Sequence, residues 1–388
     1  MGVLKVTDAT KYLHCHASVK VDLGRRLKIN GARNSLWAQP LRLVLYALVF
    51  PSCHALSNET FDYSGHLKLG AQQTHLGDNS DYRGFNNLRL NAEYQRGGFA
   101  LETALQSSDQ DVDRLALSYR NSNNLLVAGR SIISWGNGLV FNPLDFFNPF
   151  SPVALDTEYK PGIDMLYWQH STTTGDDWQV LGVRKDGQNS SAIRYHSVSG
   201  ALEWTATLAS HRHGELAAWS FNLPIGGALL SSDVLHTRTS TGESVSSGVV
   251  NIQHWVGVGD HTLSLVAEYF HNGFGLAKTP TSPFDLLKKP ELANRLAAGE
   301  LFTRGRDYTA LSIGFDPHPL WQTSLSHLYN LHDHSALLFW HNRFDSSEST
   351  RFTLTATVPI GPSAKEYTGL FGSERVDAQV QAQFAWYF

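Results

Sequence analysis

In the stretch NLRLNAEYQ, Leu88, Leu90, Ala92 and Tyr94 alternate with Arg89, Asn91, Glu93 and Gln95, and this period of two returns along most of the chain. Leu202, Trp204, Ala206 and Leu208 oppose Glu203, Thr205 and Thr207; Phe352, Leu354, Ala356 and Val358 oppose Thr353, Thr355 and Thr357. Successive side chains of a strand point to opposite faces, so each such segment is a strand with one apolar and one polar side. About eighteen of them, separated by turn residues, can be counted from Phe61 onward, with boundaries good to ~2–4 residues. No stretch reads as a long amphipathic helix, and none reaches the ~18 unbroken apolar residues of a membrane-spanning helix.

Many strands of one pattern leave few architectures. A solenoid or propeller would repeat at a fixed period, which this chain does not do. A soluble sandwich has no reason to gather Phe384, Trp386 and Phe388 on the apolar face of its final strand, AQVQAQFAWYF. A membrane barrel does, because aromatic residues girdle its apolar band. In a bilayer every unpaired backbone N–H or C=O costs several kcal/mol, so a spanning sheet has to close on itself. The expected fold is therefore all-β: one up-and-down antiparallel transmembrane barrel of about 18 strands, 16 being the neighbouring even count.

Composition fits. Charged residues make up 17% of the chain, against roughly 25% in soluble domains. A formal net charge of -4 with no long basic run argues against a nucleic-acid partner. Residues 1–55 read as a leader to be removed: Arg25, Arg26, Lys28 and Arg33, then the short apolar LRLVLYALVF, then small residues, with cleavage placed after Ala55. Cys15 and Cys53 lie in or beside it, so the remaining 56–388 has no cysteine and no disulfide framework.

The connections give an independent test. After odd-numbered strands come GDNSDYRGF, the long run from Asn137 to Gly162, STGESVSS, Phe274 to Gly305, and Gly361 to Glu374. After even-numbered strands come RGG, NSNN, SG, IGG, VGD and HPL. Long loops at one end and tight turns at the other are the signature of an outer-membrane barrel.

With the leader, the alternation and the terminal FAWYF together, the chain resembles Gram-negative outer-membrane β-barrels of porin type. That resemblance implies an outer-membrane location, surrounding outer-membrane lipids, and recognition of Phe384, Trp386 and Phe388 by the barrel assembly machinery. GRSIISWGNGLVFNPLDFFNPFSP is also similar to a Gly-Arg…Trp-Gly strand end and Asn-Pro-rich loop of several poorly characterised proteobacterial barrels. In porins the loop after the fifth strand folds inward, and the position of residues 137–162 resembles it. On that likeness Asn142, Asp145, Phe146, Phe147, Asn148, Asp156, Glu158 and Lys160 form a pore constriction.

Period two in LLVAGRSIISWG puts Leu125, Val127, Gly129, Ile133 and Trp135 on the lipid side and Arg130 in the lumen. The same parity turns Lys68, Arg89, Glu93, Glu102, Arg120, Arg194, Glu203 and Glu268 inward, where fixed charge would bias permeating solutes. The plainer alternative is that these charges cross-link neighbouring strands.

His211 and His213 share a strand face at i, i+2, but two imidazoles do not make a metal site, and no metal or other cofactor is expected. His327, Asn330, His332, Asp333 and Ser335 contain the residue types of a hydrolase without a recognised nucleophile sequence, so no catalytic residue is assigned. Lys278, Lys288, Lys289 and Arg295 offer a basic loop to an anionic partner. The leading expectation is a non-enzymatic channel for passive passage of small polar or charged solutes. The alternatives are a barrel component of a polymer or lipid export or assembly system and, third, an outer-membrane hydrolase. The sequence leaves the solute and any assembly into a homotrimer open.

Overall fold

A computed structural model describes residues 59–107, 112–154, 156, 158–278, 283–362, 365–369 and 376–388. The proposed leader and its cleavage site lie outside the described residues.

Eighteen strands follow one another in the chain. They are β1 (Glu59–Leu76), β2 (Asn79–Arg96), β3 (Phe99–Gln106), β4 (Val112–Arg120), β5 (Asn124–Ser131), β6 (Ile163–Ser171), β7 (Asp177–Lys185), β8 (Gln188–Ser199) and β9 (Leu202–His211). The second half comprises β10 (Gly214–Ile225), β11 (Ala228–Thr239), β12 (Ser244–Val258), β13 (His261–His271), β14 (Asp307–His318), β15 (Trp321–Asn330), β16 (Ala336–Ser347), β17 (Thr350–Ile360) and β18 (Ala378–Tyr387). Two short helices, α1 (Pro283–Leu287) and α2 (Pro290–Ala297), interrupt the connection between β13 and β14.

Each strand pairs antiparallel with the next, and β1 pairs with both β2 and β18, so the sheet closes into an 18-stranded barrel without a free edge. Closure reaches the last residue: Gly65 N donates to Phe388 O at 2.8 Å and Phe388 N to Gly65 O at 3.1 Å. The Phe388 ring lies where a side chain on Gly65 would stand, which explains a residue without Cβ there. The tight turns are steep; both residues of the Gly226–Gly227 hairpin have positive φ, which glycine adopts freely.

The faces separate as a bilayer requires. On β18 and the residue after it, Val380, Phe384, Trp386 and Phe388 point outward, Phe384 half-buried and the others exposed, while Gln379, Gln381, Gln383 and Tyr387 point into the barrel. Among the described strand residues, outward-facing Asp, Glu, Lys and Arg are Glu59, Arg96, Arg130, Asp164, Arg184, Glu215, Arg238 and Asp307. Each lies within two residues of a strand end. An apolar belt between two polar rims follows, as a lipid environment demands.

The three longest connections, 132–162, 272–306 and 361–377, follow β5, β13 and β17 and so share one end of the barrel, as the alternation of loop lengths implies. Two expectations change. GDNSDYRGF is not a loop, because β1 and β2 run 18 residues each and meet in a two-residue turn at Gly77–Asp78. Both faces of that extension meet water, so it carries no apolar alternation to read; cross-strand polar bonds such as Gln73–Tyr82 at 2.8 Å hold it instead. STGESVSS shortens to a four-residue connection, residues 240–243, with β12 already begun at Ser244.

Candidate functional site

Loop 132–162 leaves the top of β5 and crosses the lumen. Its tip is fastened by two carboxylates on the inner wall. Glu268 on β13 accepts the backbone N–H groups of Leu139, Val140 and Phe141 at 2.7, 3.1 and 2.7 Å. Asp233 on β11, with no exposed surface, accepts Asn137 N at 2.7 Å. The Asn137 amide donates to Phe221 O and Ser232 O, and Asn251 Nδ2 donates to Asn137 O at 2.9 Å. A tip that cannot fold back on itself thus has its backbone donors met by β11 and β13, its Asn137 carbonyl by β12 and its Asn137 amide by β10 and β11, as buried polar groups require.

Behind the tip the loop is greasy. Trp135, Leu144, Phe146 and Phe147 pack on Met165, Tyr167, Leu181, Val183, Ala192, Ala209, Ala218 and Leu235, all inward residues of β6 to β11. Phe141 stacks on Phe270 at 5.0 Å and lies beside Tyr308. Each large side chain buried this way contributes roughly 1.5–3 kcal/mol. Alanines on β8, β9 and β10 leave room for the rings.

Polar contacts set the loop's internal shape. Asn142 Nδ2 donates to Trp135 O at 2.9 Å, and the Asn148 amide to Pro161 O. Lys160 forms a buried ion pair with Asp145 and also reaches Ser134 Oγ at 3.2 Å. Burial pushes the Asp145 carboxyl up to about 7, against the opposing pull of Lys160.

The far limb crosses to the opposite wall. Asp156 and Glu158 both bind Lys68 of β1, at 2.6 and 2.7 Å. Glu158 also accepts Tyr387 Oη of β18 at 3.0 Å. Tyr159 lies under the Arg89 guanidinium, 4.3 Å from its ring centre. The loop is therefore a strap fixed at both sides of the barrel.

The predicted lumen charges divide in their use. Lys68, Arg89, Glu93, Glu102, Arg194, Glu203 and Glu268 sit at inward register positions. Most are already partnered: Arg89 with Asp113 at 2.6 Å, Glu203 with His196 at 3.1 Å, and Arg194 over the Trp135 ring. Glu93 and Glu102 face each other across β2 and β3.

Arg130 is a correction. It stands opposite outward Leu115 on one side and Asp164 on the other, which puts it on the outer face, while Leu125 and Val127 pack inward against the loop. Trp135 likewise lies inside, donating Nε1–H to Gln179 Oε1 at 3.1 Å. The run Leu125–Ala128 is apolar on both faces because this stretch of inner wall is itself a core, so period two could not tell in from out. Asp233 escaped the sequence reading for a related reason: in SSDVLHT it looks like one more inward polar residue.

The rest of the inner wall is different in kind. Ser324, His341, Thr355, Gln381 and Gln72 are register partners in one row across β15, β16, β17, β18 and β1. Ser312, Ser326, Phe339, Thr357, Gln379 and Thr74 form the next, polar but for the one phenylalanine on β16. Beneath the strap's tip, towards the tight turns, lies a cavity of about 480 Å³ lined by Asn137, Leu139, Glu203, Asn222 and Ser231.

The other long loops brace one another at the long-loop end. Arg212 pairs with Glu300 at 2.5 Å, and Arg295 stacks on Phe274 at 3.9 Å and donates to His213 O. Arg295 is thus committed internally, and Lys288 is paired with Asp285. Glu366 accepts Arg304 N at 2.6 Å, Asn330 Nδ2 at 2.7 Å and the Tyr308 hydroxyl; burial pushes its carboxyl up. His211 ends β9 while His213 lies in the following turn, and burial lowers the His213 pKa. Ser335 Oγ donates to Asp333 Oδ1 at 2.6 Å and His332 Nε2 meets Asp307 Oδ2 at 2.6 Å, so that set braces a loop rather than aligning a nucleophile with a base.

No protein-family model and no curated protein sequence matches the chain. Solved structures do. Wzi of Escherichia coli, an outer-membrane protein involved in group 1 capsule assembly and described as a carbohydrate-binding β-barrel, aligns with a TM-score of 0.55 at 12% identity, over 89% of this chain and 86% of that one. OpdL of Pseudomonas aeruginosa gives 0.55 at 12% identity, over 84% and 98%. OccK11 (OpdR) of the same organism gives 0.55 at 8%, over 84% and 96%. At such identities the likeness establishes the fold, an outer-membrane β-barrel of porin type.

Proposed function

We propose that this porin-type barrel is an outer-membrane channel for passive passage of small polar or charged solutes. The observation that carries the reading is the unequal lumen: the strap packs its aromatic side against β5–β13, with Phe141 also covering Tyr308, Ala310, Leu328 and Leu337 near the long-loop end of β14–β16, and leaves the wall of β17, β18 and β1–β4 lined mainly with Ser, Thr, Gln, His and charged groups. Solutes would pass along the polar wall, past the limb held by Lys68, Asp156 and Glu158. Charges already paired across the lumen give such a path local polarity with little net field. The outward aromatics of β18 suit recognition by the barrel assembly machinery. The test is conductance of the purified barrel in a planar bilayer; a membrane that stays sealed at every voltage overturns the channel.

A second reading, participation in polymer export or assembly, draws on the likeness to a capsule-assembly barrel and on the interlocked loops 272–306 and 361–377. It predicts a co-purifying glycan and no conductance. Nothing in the geometry favours hydrolysis.

A further inference from the structure

Arg130, Asp164 and Arg184 are consecutive register partners on β5, β6 and β7, all on the outer face and each one residue in from the long-loop end of its strand. We propose that they form a docking site for the phosphate of an outer-leaflet glycolipid. The idea rests on the barrel lying in an outer membrane with its long loops outside, and is independent of whether it conducts.

Height is the first argument. A cation on the lipid face costs about 2–4 kcal/mol at the membrane midplane but only about 0–1 near the interface. Directly below the triad the outward rows are Ala128, Leu166 and Gly182, then Leu126, Trp168 and Val180, so the charges stand where acyl chains give way to headgroups.

Charge is the second. Arg130 grips Asp164 through two bonds, Nε to Oδ1 at 2.8 Å and Nη2 to Oδ2 at 3.2 Å, and is held further by Val112 O. Arg184, on the other side of Asp164, is exposed and makes no ion pair among the described residues. The nearby Asp186 is taken by Arg212 at 2.9 Å. Two guanidinium groups and one carboxylate leave one positive charge facing the headgroups. The other outward rim charges lack this excess: Glu59 pairs with Arg96, Glu215 stands opposite Arg238, and Asp307 is enclosed by Tyr269, His271 and His332.

Shape is the third. A side chain on Gly182 would meet nothing within 4 Å. With Ala128 also small and Leu166 prominent between them, the lipid face is notched beneath both arginines, a place for an acyl chain whose phosphate lies above. Planar guanidinium forks match phosphate oxygens in two-point contacts that an ammonium group does not make.

Native mass spectrometry of the folded barrel in detergent, titrated with bis-phosphorylated lipid A and with lipid A lacking both phosphates, tests this. The phosphorylated form should bind wild type, and Arg184→Gln should weaken it roughly ten-fold, the worth of one charge-assisted contact. Arg238→Gln, an outward arginine on β11, should leave binding unchanged, and both variants should keep heat-modifiable migration. Equal binding of the phosphate-free lipid, or an equal loss in the two variants, overturns the site.

Discussion

The inner wall of β5–β13 and that of β17 and β18 with β1–β4 are made by the same strand geometry, yet one is largely a protein core and the other is a polar surface; β14–β16 carry both, with Tyr308, Ala310, Leu328 and Leu337 packed with Phe141 near the long-loop end. On the first, Leu181, Val183, Ala209, Ala218 and Leu235 meet Phe146, Phe147 and Trp135 of the strap. On the second, inward positions are Thr353, Thr355, Thr357, Gln379, Gln381 and Gln383, and these belong to no apolar cluster among the described residues. In a barrel, therefore, the composition of inward positions reports what faces them, as it does on the outside. An apolar inner wall marks where a loop lies down.

The sharpest way to break that contrast is to remove the strap. Deleting Asn142 to Glu158 should raise single-channel conductance several-fold while heat-modifiable migration persists; an unchanged bore would show that the packed half never limited passage. A smaller, paired effect follows from placing bulk on each wall. Gln383→Trp should cut conductance by about half with little change in stability. Ala209→Trp should leave conductance alone but lower stability by about 1–3 kcal/mol, because it overfills a packed site, read as the temperature at which the barrel loses its compact gel form. Reversal of the two outcomes would invert the assignment of conduit and core.

The smallest expected effect is in pH. Asp145 has its proton affinity raised in the folded strap, so its contribution to strap docking is fully present below the unfolded carboxyl value of about 4 and is lost as pH rises through about 7. Channel noise from strap movement should increase as pH rises from about 4 to about 7, and Asp145→Asn should flatten that trend. Noise that instead grows on acidification would contradict the sign.

The belt was legible because a bilayer imposes it residue by residue: Val380, Phe384 and Trp386 have no alternative to facing lipid once Gln379, Gln381 and Gln383 face in. Legibility fails wherever that constraint lapses. Residues 77–85 rise above the belt, so nothing forces alternation on them and they read as loop. Leu125–Ala128 are apolar on both sides, so Arg130 was assigned to the wrong face. Glu268 was correctly placed inward, but its partners are backbone N–H groups of residues 139–141 arriving from 127 or more positions away, and no side-chain pattern announces them. The loop's position was legible, whereas the strap's two moorings depend on which wall a greasy segment finds first.

One consequence concerns assembly order. The seam between β1 and β18 joins Gly77 to Asp377 across 300 positions, so the ring cannot shut until nearly every other hairpin exists. Each doubling of a closed loop adds only about 0.6 kcal/mol of entropy loss, so the obstacle is one of timing more than of energy. A nascent sheet waiting for its last strand exposes two adhesive borders, and the eleven-residue tail that joins them works as the final tooth of a zipper.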